Sequence, residues 1–528
     1  MKFDRSSGIL LHATSLPGRF GIGDFGEEAY KFVDFLAASG QGLWQVLPLG
    51  PTGFGDSPYQ CFSAFAGKTT LVSPDRLVAD GLLSAGDLAT TPKFSNERVE
   101  FGPVIEWKNG LLARAFEGFK RGAGAGLRHD VESFDDVESF DESASLWLDD
   151  YAFYRALKDA HGGAAWNTWE SELRRREPQA LAAARRQLDE KIEAHKFFQF
   201  LFFKQWMDLK RYSNEKQIKI IGDMPIFVAY DSADVWIHPE LFRLNKDGSP
   251  TVVAGVPPDY FSKTGQLWGN PLYDWQRMRA SGFSWWIERM RAALQMTDII
   301  RIDHFRGFAA SWEVPFGEKT AEHGKWVDVP GRELFDALKK EFGELPIIAE
   351  DLGVITPDVE ALRDDLGLPG MRVLQFAFGG DPSDEHLPHN YIRNVAAYTG
   401  THDSDTVVGW FNSKAGVGST RDTAQIDKER EYCLKYLNSD GQEIHWDFIR
   451  AAMASVADVA IVPLQDLLGL DSSARMNLPA SQQGNWGWRF KPDALTLALS
   501  ERLQETAEIY GRGSNKLAEP NKLDGGDE

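Results

Sequence analysis

Cysteine is nearly missing from this chain: only Cys61 and Cys433 occur in 528 residues, far apart in sequence. That excludes a disulfide framework and a cysteine-ligated zinc cluster, and it points to a reducing compartment. Long apolar runs are missing too, with none approaching the ~20 residues a membrane-spanning helix needs. Residues 1–11 lack the extended apolar core and small-residue cleavage site of a signal peptide, so a cytoplasmic protein is expected. Positive charge is in deficit: 57 Lys and Arg against 78 Asp and Glu leave a net charge of −21. Neither nucleic acid nor an anionic membrane surface is therefore an expected partner, because phosphate binding needs clustered cations. There is no GxxxxGK[ST] phosphate loop and no GxSxG elbow, which leaves phosphoryl and acyl transfer without support.

What the chain does have is aromatic surface, with 17 Trp, 13 Tyr and 34 Phe. Most of these rings serve a core, but flat apolar faces also pack on sugar rings, and a neutral polyhydroxylated substrate suits the charge balance. Eight short runs rich in Val, Ile and Leu, at 8–11, 43–47, 218–221, 299–302, 347–349, 373–376, 395–398 and 459–462, read as buried parallel strands. Helix-length segments separate most of them, which predicts a (β/α)8 TIM barrel spanning about 1–510. Two intervals are too long for simple crossovers. They predict a mainly helical insertion over about 51–196 and an inserted active-site loop region over about 225–290. Residues 130–135 and 136–141 both read DVESFD, an acidic tandem assigned to a solvated loop. Residues 511–528 are rich in Gly, Asn, Asp and Lys and read as a disordered tail.

Strand ends and the loops after them build the active site of a parallel barrel. Acids and imidazoles concentrate there: Asp223 after one run, Arg301, Asp303 and His304 in IIRIDHFRG, Glu350 and Asp351 after PIIA, and His402, Asp403 and Asp405 in GTHDSDT. One such acid is as readily a structural ion pair, but four strand ends carrying acids on one barrel face favour chemistry. Alternate residues of a strand share a face, so Arg301 and Asp303 point together, and the guanidinium would favour the carboxylate a nucleophile requires. Glu350 follows a purely apolar run, where desolvation and neighbouring acids would raise its pKa and keep it protonated as a general acid. Two carboxyls in unlike environments can divide the work of glycoside cleavage. Asp403 is a third acid able to stabilise a cationic transition state. The same acids with His304 and His402 form a rival metal-ligand set, but the HxH pair of metal-dependent barrels is replaced by LLHAT with His12 alone, and no metal or cofactor is expected. The Gly/Pro-rich stretches GFGDSPYQ and GQLWGNPLYDW place Tyr59 and Trp268 in loops suited to lining a sugar cleft.

Taken in order, GILLHATSLPG, GFGDSPYQ, IIGDMPIFV, GQLWGNPLY, IIRIDHFRG, IIAEDLG, VLQFAF, HNY, GTHDSDT and RMNLPA resemble the 4-α-glucanotransferase (amylomaltase, disproportionating enzyme) family of the α-amylase clan. The resemblance covers nearly the whole barrel. It implies Asp303 as nucleophile, Glu350 as acid and then base, and Asp403 as transition-state stabiliser. Arg301 and His402 would flank the sugar at the cleaved bond. Tyr59, Asp223, Gln266, Trp268 and Asn477 would line the glucan groove, with Ser57 and Pro58 shaping its floor. The implied reaction moves an α-1,4-glucanyl segment between maltooligosaccharides, without a cofactor. Two rivals stand beside it: a retaining α-glucan hydrolase using the same carboxylates, and a catalytically silent glucan-binding module. One departure from the family pattern is Ser404, where the family has Asn after the catalytic Asp.

Overall fold

A computed structural model describes residues 3–135, 144–258, 262–416, 421–479, 481 and 483–513. In chain order its strands are β1 (Ser6–Leu10), β2 (Leu43–Gln45), β3 (Lys219–Pro225), β4 (Val252–Val256), β5 (Gln266–Pro271), β6 (Ile299–Asp303), β7 (Ala310–Pro315), β8 (Lys325–Asp328), β9 (Ile347–Ala349), β10 (Gly370–Val373), β11 (Val395–Tyr398) and β12 (Val459–Pro463). Eight of them form one sheet in the order β10, β11, β12, β1, β2, β3, β6, β9, and each of its ladders is parallel. Helices such as Glu27–Ala38, Ser284–Met296, Gly331–Phe342 and Ile444–Ala454 connect successive strands. This is a (β/α)8 barrel. Ile221, Ile299, Ile348 and Ile461, from four different strands, are buried in one apolar cluster, which is why the strands read as continuous apolar runs.

The barrel closes between β9 and β10 without a regular ladder. The Ala349 N–H donates to the Pro369 carbonyl at 2.9 Å, and Asp351 Oδ1 accepts the Met371 N–H at 2.6 Å. Glycine is required at position 370, because a Cβ there would lie 2.3 Å from Asp351 Oδ2. The same seam corrects one expected strand. The apolar run 373–376 falls mostly in a 3-10 turn, Leu374–Gly379, and the strand is Gly370–Val373. Arg372 inside that strand hides it from an apolar pattern, yet its charge is met by Asp351 and Glu385.

Between β2 and β3 lie several helices, including Phe101–Lys120, Ala144–Ala160 and the 38-residue Pro178–Glu215. At 1.5 Å per residue the last is about 57 Å long, and it runs from the insertion directly towards β3. The first DVESFD copy is not a loop: it ends the helix Arg128–Asp135, with Phe134 packed 5.8 Å from both Phe200 and Phe203. The second copy lies outside the described residues. A second sheet, β5–β4–β7–β8, is antiparallel throughout. It joins the connection after β3 to the connection after β6, so the region expected as loops carries half of a sheet. Of residues 511–513, expected as part of a tail, Arg512 is packed against the barrel. Arg512 is 1% exposed, and its guanidinium donates to the carbonyls of Met453 at 2.8 Å, Ser6 at 3.0 Å and Ala457 at 2.7 Å. Residues 514–528 lie outside the described residues. Among the described residues, no helix is long and apolar enough to cross a membrane.

Candidate active site

Register brings the charged residues together. In the β3–β6 ladder Asp223 is paired with Arg301, so their side chains stand side by side on the inner face. Arg301 Nη1 meets Asp223 Oδ1 at 2.8 Å and Oδ2 at 2.7 Å, and its Nη2 lies 3.0 Å from Asp303 Oδ1. Burial opposes the charge on Arg301, but Asp223 and then Asp303 outweigh it and hold the guanidinium firmly protonated. The Asp303 carboxyl is 28% exposed while that of Asp223 is wholly buried. One guanidinium thus anchors itself on a hidden carboxylate and presents an open one to the cleft.

Glu350 follows β9, next to β6. Its Oε2 accepts the His304 N–H at 2.6 Å and its Oε1 the Leu352 N–H at 3.0 Å. His304 adopts the left-handed conformation, with φ 52°, and this sharp turn at the end of β6 aims its N–H across the barrel mouth. Burial, followed by the Asp303 charge, pushes Glu350 up to about 8 against the pull of Arg301 and the two N–H groups. The carboxyl therefore carries a proton at neutral pH, as the apolar run before it led us to expect. Asp351, one residue on, points the other way and is buried at the barrel seam beside Arg363 and Arg372. Alternation along the chain separates a cleft acid from a structural one.

The opposite wall comes from the loops after β2, β11 and β12. The Tyr59 hydroxyl donates to Asp223 Oδ2 at 2.8 Å, and its ring stacks on His402 with centroids 4.9 Å apart and 18° between planes. Burial, then Asp223, raise this phenol well above its ordinary range, so it remains a donor. His402 Nε2 lies 3.4 Å from Asp403 Oδ1, which also accepts from Asn477 Nδ2 at 2.6 Å. Arg475 Nη2 donates to the Asp403 carbonyl at 2.7 Å. Ser404 holds the same loop from within, its Oγ accepting the Thr401 N–H at 3.1 Å. Asp303, Glu350, Tyr59, His402, Asp403 and Asn477 border a cleft of about 410 Å³, whose lining also includes Ser57, Gln266, Trp268, His304, Phe376 and Trp486.

A 4-alpha-glucanotransferase family model matches residues 11–496. The chain is 51% identical over 512 residues to a 4-alpha-glucanotransferase of Synechocystis sp., covering 96% of this chain and 98% of that one. It is 49% identical over 520 residues to the 4-alpha-glucanotransferase of Thermus thermophilus, covering 97% and 100% respectively. The chain belongs to the 4-α-glucanotransferase family. Its fold superposes on the amylomaltase of Streptococcus agalactiae, solved in complex with acarbose, with a TM-score of 0.90 and 41% identity over 96% of this chain and all of that one. The amylomaltase of Corynebacterium glutamicum, at 17% identity and a TM-score of 0.75, shares the fold over 97% of this chain and 75% of its own.

For a member of the 4-α-glucanotransferase family, the placement of the expected residues is uneven. Asp303, Glu350, Asp403, Ser57, Tyr59, Gln266, Trp268, Arg301, His402 and Asn477 all border the cleft. Asp223 and Pro58 do not: Asp223 is hidden behind Tyr59 and Arg301, and Pro58 borders a separate small cavity. Asp405 is turned away, bonded to Ser472 Oγ at 2.7 Å. The two imidazoles of the rival metal set stand against different partners, His402 under Tyr59 and His304 edge-on to Trp268 at 4.8 Å and 88°. Among the described residues no group of three or more His, Cys, Asp and Glu side chains is arranged to hold a metal ion. Sequence reasoning passed over Trp486, which packs 5.9 Å from His402, and Arg475. Both lie in a stretch with no periodic signal, although the RMNLPA motif contains Arg475 itself.

Proposed function

We propose that the chain transfers α-1,4-glucanyl segments between maltooligosaccharides or longer α-1,4-glucans by retaining double displacement. The observation that carries this reading is the contrast between two carboxyls at one cleft: Asp303, open and paired with Arg301, and Glu350, pushed up to about 8. Asp303 attacks the anomeric carbon while Glu350 protonates the departing glycosidic oxygen, leaving a β-linked glucosyl-enzyme on Asp303. Glu350, now a carboxylate, takes the proton from the 4-hydroxyl of an incoming glucan, whose oxygen displaces Asp303 and restores the α linkage. Asp403, fixed by Asn477 and the Arg475 contact to its carbonyl, bonds sugar hydroxyls as the ring flattens. Tyr59 and His402 pack beside the same ring. No step calls on a cofactor.

We assign this activity to one catalytic barrel that extends at least to Arg512, with insertions at about 51–196 and 225–290. A cytosolic setting fits its two free thiols, Cys61 and Cys433. The hydrolase reading differs only in what captures the intermediate, and family membership favours a sugar over water. Timed chromatography of maltotriose products tests it. Transfer yields glucose together with maltopentaose and longer chains at a constant number of reducing ends. Progressive shortening with rising reducing ends would overturn it.

A further inference from the structure

The cleft is also bordered by an aromatic residue with no part in the reaction described above. Trp326, on the edge strand β8, borders the same cavity and is 36% exposed. Its ring is held on two sides. The Arg306 guanidinium lies 3.6 Å over the ring centre, and Trp312 packs against it with centroids 5.1 Å apart and 61° between planes. Trp312 is itself fixed by a 2.8 Å bond from its indole N–H to the Ala321 carbonyl. Arg306 is 5% exposed, and its Nη1 donates to the carbonyl of Val354. Val354 belongs to the loop whose Leu352 N–H binds Glu350. Trp326 is therefore tied to the wall that carries the general acid, and not to the wall of Tyr59, His402 and Asp403.

The side of the general acid is the side where the leaving glucan departs and the acceptor arrives. We infer that Trp326, clamped by Arg306, is a distal acceptor subsite that packs against a glucose residue beyond the first of an α-1,4-glucan acceptor. An immobilised indole loses little conformational freedom on binding, and the part of Trp326 left exposed offers apolar surface to the C–H groups of a sugar. The alternative is that Trp326 only shields Arg306 and Trp312 from water. This inference rests on the transfer reading above, and the experiment separates the two.

With a glycosyl fluoride as fixed donor, kcat/KM is measured for glucose, maltose, maltotetraose and maltohexaose as acceptors. Trp326→Ala is expected to lower the ratio of maltohexaose to glucose kcat/KM by about tenfold, chiefly through KM. Trp326→Phe, which keeps a ring, is expected to retain the ratio within about threefold. Equal loss for all acceptors in Trp326→Ala would show a shielding role and overturn the subsite, as would an unaltered length preference. Failure of the unsubstituted protein to transfer to any acceptor would instead strike the transfer reading itself.

Discussion

The floor of the cleft and its outer rim are built on different principles. On the floor, position comes from strand register: Asp223 opposite Arg301, and Pro225 opposite Asp303, in one parallel ladder. Each charge there is matched at 2.7–3.0 Å, and removing one partner would leave another buried and unpaired. The rim comes from β5 and β8, opposite edges of a sheet assembled from two separate connections. Its contacts are rings meeting rings, Trp268 against His304 and Trp326 against Trp312. On the reading proposed above, charged geometry on rigid strands sets whether a bond breaks, whereas aromatic surface on an added sheet sets which glucan stays bound. Damage should accordingly be drastic on the floor and graded at the rim.

The largest effect should come from Asp303→Asn. Without the nucleophile no glucosyl-enzyme forms, and turnover on maltotriose should fall by about four orders of magnitude with the circular-dichroism spectrum retained. Near-normal turnover would remove the floor from the chemistry altogether.

Next in size is Glu350→Gln, expected to lower turnover of natural glucans by about 10²- to 10⁴-fold. An activated glycosyl fluoride needs no proton to depart, so its first step should survive and the intermediate should accumulate. Azide should then restore turnover and give an α-glucosyl azide, the product of two inversions; a β-azide would break the double-displacement mechanism. The same group sets the pH dependence. Its acid form is lost as pH rises through about 8, so the first step with natural glucans should decline on that alkaline side, and in Glu350→Gln assayed with azide this decline should vanish.

The smallest effect belongs to the rim. Provided the indole helps hold the acceptor and exclude water, Trp268→Ala should shift the balance from transfer towards hydrolysis by about five- to tenfold. Product analysis with labelled glucose as acceptor measures that ratio. A loss as large as that of Asp303→Asn would erase the distinction between floor and rim.

The sequence by itself determined the barrel and the identity of its acids. Buried parallel strands write themselves as short apolar runs, and the residues just past them stand at one mouth by construction. Hence Asp303 beside Arg301 and a proton-holding Glu350 could be read from IIRIDHFRG and IIAEDLG. What the sequence could not decide was which way a residue faces when the chain leaves the strand. Asp351 and Asp405 looked equal to their neighbours, and only the closing seam and the contact with Ser472 show them to be structural. The strand at Gly370–Val373 was masked by Arg372, whose charge is met by partners distant in sequence. Arg512 read as tail because the carbonyls that satisfy it come from Ser6 and from the segment just before β12, remote in sequence from residue 512. The antiparallel sheet at the rim joins two connections separated by β6, and Trp326 is tied to the loop after β9 through Arg306 and Val354. Local patterns encode what a segment buries. Pairings across the chain, fixed by packing and by the need to satisfy each buried charge and carbonyl, exist only once the barrel has closed.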